Sequence, residues 1–254
     1  MLNSNKDAVE PFGLRRVTPE MALFSGPDKT RGKTLIIGFP PRGVRHLMMP
    51  NAVLLQHIDS TQYDFLMISE RQSDEASKKL SFGKELGQQA QWLAKQDWFK
   101  EYENIRVFGY SAGSFPAIVF AYRLNAELVL SIAGRFHKKK HLMINLGRTA
   151  TVWRAVKKGN CNSTIFCYSE NNKRDRKFAQ FFKKVCKAKE IAIKIKTEKL
   201  SHLMLRRLAE RGELATYLAQ TLFAKSNKTY PNKDKGKTVL SFPIVNEQES
   251  SIIK

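Results

Sequence analysis

The stretch IRVFGYSAGSFPAIVFAYRL, residues 105 to 124, sets Gly-Tyr-Ser-Ala-Gly between an apolar run and a segment of helical spacing. An apolar run before it reads as a buried strand, and the alternation of apolar clusters after it reads as a helix. Gly109 and Gly113 lack Cβ atoms, so the chain can reverse tightly between the two elements. Pro116 is tolerated only in the first turn of a helix, where its missing amide has no partner, and this independently places the helix start beside Ser111. A serine in such a turn is either a presented nucleophile or a helix cap. The pentapeptide fixes three residues, so its surroundings decide between the two.

Those surroundings alternate. KTLIIGF (33 to 39), YDFLMIS (63 to 69), NIRVFG (104 to 109), ELVLSIAG (127 to 134), STIFCYS (163 to 169) and EIAIKIKT (190 to 197) are short apolar runs edged by polar residues. Helical spacing separates them: Leu86, Ala90, Leu93, Ala94 and Trp98 before the serine, then Phe178, Phe181, Phe182 and Val185 as an inward stripe, then a closing helix after Ser201. Strands joined by crossover helices predict an α/β fold, a three-layer α/β/α sandwich around a mostly parallel sheet. Ligands in such sheets bind at the carboxyl ends of the strands, which is where Ser111 falls.

Composition narrows the class. The 254 residues, 42% of them hydrophobic, suffice for one large domain. The first residues carry no apolar leader and no apolar run approaches a membrane span, so a soluble cytoplasmic protein is expected. Cys161, Cys167 and Cys186 form an odd set without a Cys-x-x-Cys pair, which suits reduced, buried thiols. His137 and His141 are four apart, but no Glu follows the first and three lysines lie between them, so no metal site is expected. Neither a phosphate loop nor a dinucleotide fingerprint is present, and no cofactor is implied.

Charge is distributed unevenly. Residues 1 to 134 hold 16 Lys and Arg against 14 Asp and Glu, whereas the rest hold 28 against 9, so the second part carries +19 of the total +21. This points to an anionic partner or surface. No element that reads nucleic-acid sequence is recognisable, so sequence-specific nucleic-acid binding is not expected. The segment from 224 to 254 shows little periodicity and is expected to be a mobile basic tail. Residues 1 to 32 are expected as an extension or edge strands, and 33 to 223 as the domain.

With GYSAG at the end of the third principal strand, the chain resembles the α/β-hydrolase superfamily over roughly residues 33 to 222. The segments LIIGFPPRGVRHLMMP and DFLMISE also look like those of small bacterial hydrolase-like proteins of unassigned substrate. The resemblance implies a triad in the order serine, acid, histidine. Ser111 is the nucleophile it implies, and His202, just past the last strand and opening the closing helix, stands where the family places its imidazole. For the acid, the loop ENNKRDRKF offers Asp175 and, as alternative, Glu170; Asn172 occupies a position where many members carry Asp. The oxyanion hole is expected from the N–H of Ala112 and from the loop after the first strand, Gly38-Phe39-Pro40-Pro41, where the prolines have no amide hydrogen and leave Phe39. Arg42 and Arg45 are candidates for contacting an anionic part of a substrate. The excursion 135 to 160 occupies the position of a lid and is short, which suits a bulky or polymeric ester.

The function expected is serine-dependent transfer of an acyl group from an ester or thioester to water. The alternative is a non-enzymatic binding protein on a hydrolase-like scaffold, holding an anionic glycan, nucleic acid or membrane surface. Nothing in the sequence specifies the oligomeric state.

Overall fold

The computed structural model describes residues 12–27, 32–41, 51–68, 84–136, 142–194, 203–224 and 237–241. Among them, nine strands form one sheet in the order β1-β2-β4-β3-β5-β6-β7-β8-β9. These are β1 (Gly13–Thr18), β2 (Met21–Ser25), β3 (Thr34–Phe39), β4 (Tyr63–Ile68), β5 (Asn104–Tyr110), β6 (Leu128–Ile132), β7 (Ser163–Ser169), β8 (Lys189–Lys194) and β9 (Lys237–Ser241). The β1 and β2 strands pair antiparallel and add to the edge of β4, while β4 through β9 run parallel.

The parallel strands read as continuous apolar runs because both of their faces are covered. Successive side chains point to opposite faces. Leu35, Ile37, Val107, Val129, Phe166 and Tyr168 belong to one core cluster. Helices α2 (Lys84–Ala94), α4 (Ser114–Arg123) and α6 (Lys173–Cys186) cover it, joined by the short α3 (Asp97–Lys100). Ile36, Phe65, Phe108, Leu130, Ile165 and Ile191 form the other cluster with α1 (Asn51–Leu55), α7 (Met204–Glu210) and α8 (Leu214–Gln220). The expected three layers are present. Among the described residues, no helix is long and apolar enough to cross a membrane.

Several elements differ from the sequence expectation. The closing helix is two helices, α7 and α8, parted at Gly212, whose φ of +69° ends the first in a left-handed turn. The stripe on α6 is narrower than expected: Phe178 and Phe182 are buried, but Phe181 is 44% exposed and packs edge-on against Phe136 and Phe182. Most of the excursion after β6 is α5 (Leu142–Lys158), whose Val152 and Ala155 face the core beside α4. It serves as the β6-to-β7 crossover. Within the segment expected as a tail, Lys237–Ser241 pair with β8 as β9, a strand that Thr238, Val239 and Leu240 favour once a partner edge is offered.

The three cysteines are free thiols, Cys161 half-buried and the others buried. Burial pushes the Cys161 thiol up to about 11 and those of Cys167 and Cys186 up to about 12, so all are protonated at neutral pH.

A buried ion pair fastens the amino end of the sheet. Arg106 on β5 donates from Nε to Glu127 Oε2 (2.9 Å), from Nη2 to Glu127 Oε1 (3.1 Å) and from Nη1 to the Leu222 carbonyl (2.7 Å). Glu127→Ala would strand a buried guanidinium, and urea denaturation is expected to show a loss of about 3 kcal/mol or more. A loss below about 1 kcal/mol, the range of an exposed pair, would mean that water replaces the carboxylate.

Candidate functional site

At the carboxyl end of β5 the chain turns from strand to helix within three residues. A single 3-10 turn, Ser111–Gly113, links Tyr110 to α4, and Ser111 has φ +54°. The left-handed region costs a residue with a Cβ about 1 kcal/mol or more, so the surroundings must impose it. They do so through the two glycines. A Cβ on Gly109 would stand 2.1 Å from the Gly113 carbonyl oxygen, and one on Gly113 would stand 2.4 Å from the carbonyl oxygens of both Phe39 and Pro40. Strand, helix and the loop after β3 therefore meet closer than any side chain would allow.

Ser111 is not a helix cap. The cap position of α4 is Gly113, which caps with no side chain, and the turn before it is preceded by Tyr110, also without a capping bond. The structural hydroxyl is that of Ser114, which reaches the carbonyls of Gly109 (3.0 Å) and Ile132 (3.1 Å) and ties the turn to β6. Ser111 itself is 5% exposed. Pro116 sits in the first turn of α4, as its missing amide requires, and α4 is buried from Ser114 to Tyr122.

Asp175 stands on the first turn of α6 and is 1% exposed. It is not the cap of that helix. Asn172 is, its Oδ1 accepting from the N–H groups of Arg174 (3.1 Å) and Asp175 (3.2 Å), while its Nδ2 donates to Asp175 Oδ2 (2.8 Å). One asparagine thus ends the helix and orients the carboxylate, and the helix N-terminus favours the negative charge. The residue before Ser111 feels that charge: burial raises the Tyr110 phenol, the nearby Asp175 carboxylate raises it further, and Arg135 opposes. Gly134, just past β6, closes the gap, since a Cβ there would meet the Phe178 ring at 2.4 Å and the Ser114 Cβ at 3.0 Å. The exits of β5, β6 and β7 converge on one place.

Glu170 is the less buried of the two carboxylates. Its N–H donates to the Ile193 carbonyl (2.9 Å), and its own carbonyl accepts from Arg176. The strand β3 runs through Phe39, which registers with Gly109, and the Phe39 ring is set edge-on to Phe120 at 4.8 Å in the core. Ala112 lies in the turn with Ser111. His202, Arg42 and Arg45 lie outside the described residues, as do His137, His141 and the lysines between them. Sequence reasoning missed the role of Asn172, although a cap residue three positions before a carboxylate is a readable helix-start signature.

A separate open cavity of about 650 Å³ lies at the opposite end of the sheet, lined by Arg15, Trp98, Glu101 and Tyr102 among others. Arg15 covers the Trp98 ring there at 5.1 Å, and the Tyr102 hydroxyl is committed to Asp64 (2.7 Å). It is removed from the exits of β5, β6 and β7.

No family model matches this sequence, and no curated protein matches it in sequence. Solved structures do match in shape. The ferulic acid-bound Est1E from Butyrivibrio proteoclasticus is similar over 80% of this chain and 95% of its own at 13% identity and a TM-score of 0.53. A lipase-esterase related protein from Clostridium acetobutylicum matches 80% of this chain and 99% of its own at 12% identity and a TM-score of 0.52. Dipeptidyl peptidase 4 from Porphyromonas gingivalis matches 84% of this chain with 36% of its own at 10% identity and a TM-score of 0.53. At these identities the likeness concerns the fold, and that fold is the α/β-hydrolase fold.

Proposed function

We propose that this chain, an α/β-hydrolase fold by its sheet order and its likenesses, is a serine hydrolase transferring an acyl group from an ester or thioester to water. The observation that carries the reading is the left-handed Ser111 held between Gly109 and Gly113 at the carboxyl end of β5. The hydroxyl that ties the turn to β6 is that of Ser114, which reaches the carbonyls of Gly109 and Ile132. Ala133, just past β6, is left-handed as well (φ +49°), so two strained residues flank the neighbouring strand exits, and such strain clusters at working sites.

In this reading Ser111 Oγ attacks the carbonyl carbon while His202 takes its proton. The N–H of Ala112, with a second donor at Phe39, stabilises the oxyanion. Collapse of the tetrahedral intermediate expels the alcohol or thiol, which takes the proton from His202. Water, deprotonated in turn by His202, attacks the acyl-enzyme and releases the acid and the free serine. Asp175 holds the imidazole, and Asn172 holds Asp175. Burial, the Asn172 bond and the field it exerts at Tyr110 favour Asp175 over Glu170 for this role. Arg42 and Arg45, which follow β3 in the sequence, would meet an anionic portion of the substrate.

The test is covalent labelling with a fluorophosphonate probe, mapped by peptide mass. Label is expected on Ser111 alone, at a rate cut about a hundredfold or more by Asp175→Asn and little by Glu170→Gln. Reversal of that order moves the acid to Glu170, and labelling that bypasses Ser111 ends the proposal.

A further inference from the structure

Helix α5 has two unlike apolar faces. Val152 and Ala155 are buried toward α4, whereas Met143 (78% exposed), Leu146 (54%) and Trp153 (50%) face solvent. With Lys157 the exposed positions are 143, 146, 153 and 157, and the half-buried Ala150 completes the three-and-four spacing of a single helical stripe. That stripe is opposite the buried one and about 21 Å long. Among the described residues, the crossover's core contacts are made by the inner face through Val152 and Ala155.

The charge around the stripe has one sign. Helix α5 carries Arg148, Arg154, Lys157 and Lys158 and no carboxylate; the neighbouring α6 carries six Lys and Arg, and its one carboxylate is the buried Asp175. Arg154, Lys157, Lys158, Lys173, Arg174, Lys177 and Lys184 are all exposed. Lys157 holds its ammonium over the Trp153 ring, 3.8 Å from the centroid, a cation–π contact on the exposed stripe. Phe181 adds a half-exposed ring on α6.

We propose that the outer face of α5, extended by α6, docks peripherally on a membrane surface containing anionic phospholipid. Apolar side chains with an interfacial tryptophan, ringed by cations and free of exposed carboxylates, match the boundary between acyl chains and anionic headgroups. A polyanion such as nucleic acid would be met by the lysines and arginines alone and would leave Met143 and Leu146 without a role. Helix α5 follows the exit of β6, so its Met143 end lies at the same end of the sheet as Ser111. The inference does not depend on Ser111 being catalytic.

Co-sedimentation of the full-length protein with vesicles tests it, using phosphatidylcholine alone and phosphatidylcholine with a third phosphatidylglycerol. Binding is expected to the mixed vesicles at least about tenfold above the neutral ones, because each basic residue at an anionic surface contributes about fivefold. The triple variant Met143→Ser, Leu146→Ser, Trp153→Ser should lose about tenfold or more, and Arg154→Glu with Lys158→Glu a similar factor, both with an unchanged thermal midpoint. Should the triple variant misfold, Trp153→Ser alone carries the comparison. Failure to bind mixed vesicles overturns the proposal. Retention of binding by the folded apolar variant also overturns it and assigns the face to polyanions, which competition by single-stranded nucleic acid would then reveal. A dimer seen in sedimentation that dissociates on Trp153→Ser overturns it in favour of a second copy.

Discussion

Ser111→Ala is expected to lower kcat/KM on short activated esters by about a thousandfold or more, with the fold intact. Alanine differs from serine here by a single atom. It keeps the Cβ, and with it the left-handed strain at φ +54°, as well as the Ser114 bonds to Gly109 and Ile132 that anchor the turn. It removes only the hydroxyl. Ser111→Gly removes the hydroxyl and the strain together, so it should be as inactive as alanine but more stable by about 1 kcal/mol after the entropic cost of glycine. Denaturation of the two variants side by side measures that difference. Equal stability would mean that solution does not hold the left-handed turn, and full activity in either variant would place the nucleophile elsewhere.

The six central strands were legible because they are buried on both faces, so each appears as an uninterrupted apolar run. The turn at Ser111 was legible for a different reason: Gly109, Gly113 and Pro116 each restrict the chain locally, and the three restrictions agree. What the sequence concealed depends on partners distant in the chain. The span 237–241 is five residues beside many lysines, and only the exposed edge of β8 makes it a strand. Phe181 shares its spacing with Phe178 and Phe182, but it sits at the margin of the buried stripe, where the Phe136 ring holds it half in solvent. The burial of Asp175 was not legible because it depends on Asn172, three residues earlier, taking the cap position of α6 and leaving the carboxylate inside.

The same division applies to the basic second half. Its net +19 is visible in the sequence, but charge alone does not say which residues share a face. The helices do: with Asp175 withdrawn into the interior, α5 and α6 present cations without a compensating exposed carboxylate. The acid proposed for catalysis and the uniform sign of the outer surface thus follow from one burial event at the start of α6.

Gly113→Ala is expected to cost about 2 kcal/mol or more in stability and to abolish labelling of Ser111. Backbone conformation does not forbid the change, since Gly113 has φ −69° and ψ −16°, a helical geometry that alanine prefers. The whole penalty must therefore come from contact. The new methyl group would stand 2.4 Å from the carbonyl oxygens of Phe39 and Pro40, and these are backbone atoms that cannot swing aside as a side-chain tip can. Either the loop after β3 or the Ser111 turn has to move, and each motion separates the serine from the loop proposed to complete the oxyanion hole. Gly147→Ala is the control: it lies within α5 with nothing within 4 Å of the added Cβ, and should gain up to about 1 kcal/mol from helix propensity alone. Urea denaturation of both variants, with probe labelling alongside, separates contact from propensity. If Gly113→Ala is as stable as Gly147→Ala and still labels, the loop does not press on the turn, and Phe39 is removed as the second donor.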